Sequence, residues 1–204
     1  MLEGSFPTQI IERTWKLQHE LELIGEDSVV LNDIATVFYG VPRIINEVRI
    51  IVSGNDLRGI VNALSYVLGV YSYSEQLIEI LREKGSVAVN PVIIPVVYVV
   101  LAKNEIEYRC IHNKLSIDIM GYRVSIPSLE EFISYMASLE AQYPYIIDAV
   151  ALAILHSSRI NVNRLVENGI DKAKLCGLIN DIGRAASTFY ELKNLFKKAI
   201  DIYC

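Results

Sequence analysis

The chain has 204 residues, enough for one domain with a sizeable core or a domain with a helical extension. Apolar residues make up 52% and charged residues 21%, which excludes a disordered chain, and a net charge of −5 argues against indiscriminate binding to nucleic acid. The charge is uneven: residues 1–158 hold 11 Lys/Arg against 19 Asp/Glu, a balance of −8, and residues 159–204 hold 8 against 5, a balance of +3. A mildly basic tail of this size reads first as a solvated helix face.

In chain order, apolar Ile10, Ile11, Trp15, Leu17 and Leu21 recur near helical spacing and predict a first helix over Pro7 to Leu23. Ser28 to Leu31 reads as a short strand, with Asn32-Asp33 capping a short helix from Ile34 to Tyr39. Gly40-Val41-Pro42 is a turn, Glu47 to Val52 a strand, and Leu57 to Leu68 a helix. Ser74 caps a further helix, Glu75 to Lys84, closed by Gly85. Val92 to Leu101 is expected to be a buried strand. Glu105 to Ile111, Lys114 to Met120 and Tyr122 to Ile126 read as three further strands.

After Pro127 the pattern is helical. Ser128 with Glu131 three residues later forms a capping-box signature, and helices are expected at Leu129 to Ala141, Tyr145 to His156 and Val162 to Asn168. A long one follows from Asp171 to about Tyr203. A β-rich half followed by a run of helices predicts an α/β or α+β core, a mixed sheet with flanking helices, and a C-terminal helical region. Ser157-Ser158-Arg159 is the expected boundary, giving domains at 1–158 and 159–204.

Cys110, Cys176 and Cys204 are far apart and odd in number, and no Cys/His cluster accompanies them, so neither a zinc site nor a disulfide framework is expected. The most apolar run, Pro91 to Ala102, is too short to span a bilayer. With no apolar signal core at the N-terminus, the expected compartment is the cytoplasm, without a membrane partner. His19, His112 and His156 lie on separate elements and read as surface or packing residues. Tyr66, Tyr71 and Tyr73 form a small cluster that reads as packing before base stacking.

The stretch Val29 to Val52, VVLNDIATVFYGVPRIINEVRIIV, carries the functional information. Strand, short helix, Gly40-Val41-Pro42-Arg43 and strand follow one another with the spacing of the nucleotidyltransferase superfamily's opening motif. The stretch resembles in particular the small bacterial and archaeal branch related to the AbiEii-type toxins. Leu115 to Met120 resembles the strand supplying that family's third carboxylate, here Asp118. Tyr122 to Ser134 resembles its strand, turn and helix, and Asp148 falls where the family often has an Asp. The richness in Ile, Val and Tyr is similar to that of thermophilic archaeal proteins.

The resemblance implies a pocket where a Gly-Gly turn lets backbone amides approach nucleotide phosphates. Two carboxylates at i and i+2 on one strand, with a third from a neighbouring strand, hold two divalent ions there. In this chain the Gly-Gly position is Asn32-Asp33, the first Asp position is Glu47 and the second is Arg49. Asp118 is unchanged, and a Lys frequent in the family falls at Met136. Arg49 sets a permanent cation where a carboxylate should bind metal. At an effective dielectric of about 20, a unit charge 4 Å from a divalent ion costs roughly 8 kcal/mol in direct Coulomb terms. Arg49 is expected either to pair with Glu47 or Asp118 and close the pocket, or to hold an anion or a partner's carboxylate. Arg43 is expected to meet a phosphate or a nearby carboxylate.

The resemblance therefore implies a nucleotidyltransferase fold without transferase activity, no metal and no cofactor, acting in binding, regulation or assembly. The first alternative is a metal-dependent enzyme using Glu47 and Asp118 with Mg²⁺ on protein or RNA. The second is an antitoxin-like or scaffold partner of an active homologue. A nucleotide is the small-molecule partner that the resemblance admits, through Asn32, Asp33 and Arg43. The apolar stripe of the last helix, including Leu175, Leu178, Ile179, Phe189 and Phe196, must be covered; its own domain is the default cover, and docking on another protein or on a second copy is the expectation drawn from its breadth.

Overall fold

The computed structural model describes residues 6–70, 74–89, 95–139, 143–185 and 190–204. They divide into two compact units: the first takes residues up to Ala35 together with Arg43–Ser128, the second Thr36–Pro42 with Leu129–Cys204. The division falls after Ser128, and residues 159–204 pack with the helices immediately before them.

The first unit holds α1 (Phe6–Leu23), β1 (Ser28–Leu31), the start of α2 (Asn32–Phe38), β2 (Glu47–Val52), α3 (Leu57–Leu68), α4 (Ser74–Lys84), β3 (Ser86–Val89), β4 (Val96–Leu101), α5 (Glu105–His112), β5 (Lys114–Ile119) and β6 (Tyr122–Pro127). Its main sheet has the order β1-β2-β4-β3. β2 runs antiparallel to β1 and parallel to β4, so the sheet is mixed, as expected. β2 reaches β4 through α3, α4 and β3, the long crossover that parallel pairing requires. Val29, Val30, Leu31, Ile50, Ile51, Val52 and Val99 are fully buried and form the centre of the core. β5 and β6 form a separate hairpin. Its two-residue turn, Met120-Gly121, has both φ angles positive, 55° and 84°, the geometry that suits the twist of paired strands.

Several expected elements fall elsewhere. Glu105 to Ile111 is a helix, not a strand. The Asn104 side chain accepts from Glu107 N while Glu107 accepts from the Asn104 backbone, and Arg109 pairs with Glu105 at 2.6 Å. β3 was not expected. The strand placed over Val92 to Leu101 begins at Val96, and its first part, with the Tyr71 and Tyr73 of the tyrosine cluster, lies outside the described residues; Tyr66 is exposed. A buried carboxylate organises the loop after β2: Glu26 accepts from Ser53 Oγ, from Gly54 N at 2.8 Å and from Asp56 N at 2.5 Å. Asp56 in turn caps α3.

The second unit is helical: α6 (Leu129–Ser138), α7 (Tyr143–Leu155), α8 (Val162–Glu167), α9 (Lys172–Ala185) and α10 (Tyr190–Tyr203). Phe132 is fully buried and stacks on Tyr39, while His156 Nε2 lies 2.7 Å from Tyr39 O. The single long helix expected from Asp171 is two helices that pack on one another and on α7. Cys176 and Cys204 are joined by a disulfide, contrary to the expectation from their spacing. The pairing is available because α9 and α10 pack on one another, which brings two cysteines 28 positions apart to Cα atoms separated by 5.3 Å. Leu175, Ile179, Ala199 and Tyr203 are buried here, so part of the apolar stripe serves as core of its own unit.

Tyr203 donates its hydroxyl to Ala153 O at 3.1 Å, and burial pushes its phenol well above the usual tyrosine value. Burial therefore holds the neutral phenol in the folded state. Its stabilising share is complete below about pH 10, where the unfolded phenol ionises, and is lost as pH rises towards the folded value. Above about pH 10 the chain should lose stability faster than a Tyr203→Phe variant, read as the difference between their melting temperatures against pH. Parallel curves would show that this phenol ionises freely in the folded state.

Candidate functional site

The site grows from the two ends of β1 and β2. Leu31 of β1 pairs with Arg49 of β2, and residues beyond that pair leave the sheet on the same side as Glu47. Glu47 and Arg49 stand at i and i+2 on β2 and share a face, as the sequence requires. Both side chains are mostly covered, and Arg49 Nε lies 3.7 Å from Glu47 Oε1. The Arg49 guanidinium also sits over the ring of Tyr98, 5.3 Å from its centre; Tyr98 pairs with Arg49 across the β2–β4 ladder.

Asn32 follows β1 and is fully buried at φ 53°, a left-handed conformation that Asn tolerates better than most side-chain-bearing residues. This is the position the resemblance assigns to glycine. Here a side chain occupies the position, and its Nδ2 donates to Glu47 Oε1. Asp33 was expected to help cap the short helix. It turns instead to the incoming strand, where its Oδ2 accepts from Asn46 N at 2.8 Å and Glu47 N at 3.1 Å. Its Oδ1 faces Arg43 Nη1 at 3.2 Å, so a carboxylate is one of the groups that Arg43 meets.

Five of the six residues singled out in the sequence are thus brought together: Asn32, Asp33, Arg43, Glu47 and Arg49. Two carboxylates and two guanidinium groups balance to zero. The sixth, Asp118, is exposed near the tip of the β5–β6 hairpin and accepts from Gly121 N at 3.0 Å. No hydrogen bond or ion pair links it, among the described residues, to Glu47 or Arg49. Met136 and Asp148 are buried on α6 and α7 of the second unit. Tyr98 was missed; its signal was its place inside the apolar run that became β4. Among the described residues no group of three or more His, Cys, Asp or Glu could hold a metal ion. No helix of the described residues is long and apolar enough to cross a membrane.

Fold and site together define a mixed-sheet α/β unit carrying a neutral, internally paired ionic cluster at the head of β2. No family model matches the chain, and no curated protein matches it in sequence. Among solved structures the chain is similar to an antigenic nucleotidyltransferase-like protein from Paracoccidioides brasiliensis. The match covers 94% of this chain and 93% of that chain, with 12% identity and a TM-score of 0.42.

Proposed function

We propose that this chain is a nucleotidyltransferase-fold protein whose catalytic pocket is closed by its own ion pairs, and that it serves as a binding, regulatory or assembly component. The observation that carries the reading is Arg49. At the position where the family's second carboxylate would bind metal, a guanidinium lies against Glu47 and over Tyr98. Asn32 donates to the same carboxylate oxygen. A divalent ion entering here would have to displace both contacts and then face a fixed positive charge. The Val29 to Val52 resemblance to the AbiEii-related branch supplies the family assignment.

The test is Mn²⁺ binding to the full chain, followed by titration calorimetry and by electron paramagnetic resonance of the free ion. No binding tighter than about 1 mM is expected at the cluster, with or without ATP. An ion held jointly by Glu47 and Asp118 would overturn the reading and favour a metal-dependent transferase. For the partner, the proposed surface is the α9–α10 pair, where Leu178 and Phe196 remain half-buried and available to another protein.

A further inference from the structure

β5 is an edge. It pairs with β6 on one side only, and no described residue pairs with its other side. A two-residue hairpin makes Ile119 and Tyr122 a hydrogen-bonded pair, and such pairs alternate along an antiparallel ladder. The backbone groups of Leu115, Ile117 and Ile119 therefore turn towards β6. Those of Lys114, Ser116 and Asp118 point away from it. Side chains alternate too: Leu115, Ile117 and Ile119 share the face on which Val124 and Ile126 of β6 are fully buried. Cover runs out at β5, where Leu115 is 45% exposed.

We propose that the chain dimerises by pairing β5 with β5 of a second copy, antiparallel about a twofold axis at Ser116. The segment Lys114-Leu115-Ser116-Ile117-Asp118 is self-complementary in that register. Ser116 faces Ser116, Leu115 faces Ile117, and Lys114 faces Asp118, each twice or about the axis. All the outward backbone groups of Lys114, Ser116 and Asp118 find partners, and the apolar face continues from one copy into the other. Lys114 is held at the start of the edge by Asp27, 2.5 Å away. Asp118 is held at the other end by Gly121 N and lies opposite Arg123 in the hairpin. Charges on an edge strand ordinarily deter pairing. These two are opposite in sign and symmetric about Ser116, so they repel strands of other sequence and admit this one. The proposal goes beyond the closed pocket and does not rest on it.

Sedimentation velocity on the full chain at about 100 µM should show a dimer that dissociates on dilution, since a single strand pair gives a small interface. Asp118→Lys and Lys114→Asp, each alone, set like charges opposite one another twice, and each should weaken the dimer about tenfold or more. Mixed in equal amounts the two variants restore both pairs and should form a heterodimer, a result that local damage from either change would not give. Ser116→Cys, with Cα atoms about 5.5 Å apart across the axis, should cross-link copies under oxidation where Glu79→Cys, on exposed α4, does not. A monomeric wild type at this concentration overturns the proposal. So does a dimer that both charge reversals leave intact, or one that Phe196→Glu dissolves, which would move the contact to α10.

Discussion

Replacing Arg164 with alanine should lower the unfolding free energy by about 3 kcal/mol, the largest loss expected from any single charged residue in the second unit. Arg164 lies on α8 and reaches across to α6, where its Nε and Nη2 meet Glu131 Oε1 at 2.7 and 2.5 Å. The two ends differ in setting: the Glu131 side chain is 1% exposed, the Arg164 side chain 37%. Removing the guanidinium leaves the buried carboxylate without the cation that offsets its lost hydration, and that penalty outweighs the modest net worth of the pair itself. The paired control separates the two quantities. Glu131→Leu combined with Arg164→Ala removes the buried charge as well and should recover most of the loss. Urea unfolding with an unchanged slope reads both. A single variant within about 0.5 kcal/mol of wild type would mean that water reaches Glu131 freely, and that the Arg164 pair adds little to the hold between α6 and α8.

How much of this was legible in the sequence depended on whether the deciding contact was local. β1, β2 and α3 were readable because their apolar runs and flanking turns agree: Asp56 caps, Gly69 closes with φ 71°, and Ile50-Ile51-Val52 has one reading. α5 was misread because Ile106, Tyr108 and Cys110 alternate with charged residues and mimic a strand. The Asn104-to-Glu107 capping box and the Glu105–Arg109 pair were equally local and outrank that alternation in the fold. β3 has only four residues, Ser86–Val89, too few for a period to stand out. The break after α9 is marked in sequence only by Gly183 and by Ser187-Thr188, which the continuing apolar stripe overrode, so the stripe read as one helix and the disulfide stayed hidden behind it. Disulfides are rare in most cytosolic proteins, so the bond adds no support to the expected compartment.

The site was legible for a different reason. A single stretch, Val29 to Val52, supplies Asn32, Asp33, Arg43, Glu47 and Arg49, so strand spacing alone brings most of the cluster together. The resemblance supplied the comparison that made Arg49 conspicuous. It also carried Asp118 into the site by analogy, and there the fold parts from it: Asp118 depends on the placement of a separate hairpin, which no local pattern sets. Asp33 shows the converse error. In sequence it reads as a helix cap, whereas its geometry shows a task at the start of β2.

That task sets the second large effect. Asp33→Ala should cost about 3 kcal/mol, because the carboxylate is 5% exposed and serves two backbone amides and a guanidinium at once. Hydrogen bonds to a charged group are worth about 1.5–3 kcal/mol each, and the alanine removes the acceptor shared by Asn46 N and Glu47 N. Asp33→Asn keeps one acceptor oxygen and should recover about half of the loss. The first residue of β2 is one of the two amides, so fraying there also loosens Glu47 beneath Arg49. This decides how the proposed closed pocket should be reopened. The variant Asn32→Gly, Asp33→Gly, Glu47→Asp, Arg49→Asp converts the four departures from the resembled motif within Val29 to Val52, but it removes the anchor of the strand that must carry the ligands. Keeping Asp33 and changing only Asn32→Gly, Glu47→Asp and Arg49→Asp should give a folded protein that gains Mn²⁺ binding, while the fourfold variant melts lower and binds less. If the threefold variant is folded and still takes up no metal, Val29 to Val52 is not the motif it resembles; if Asp33→Ala melts with the wild type, the turn from Gly40 to Asn46 is held by something other than this carboxylate.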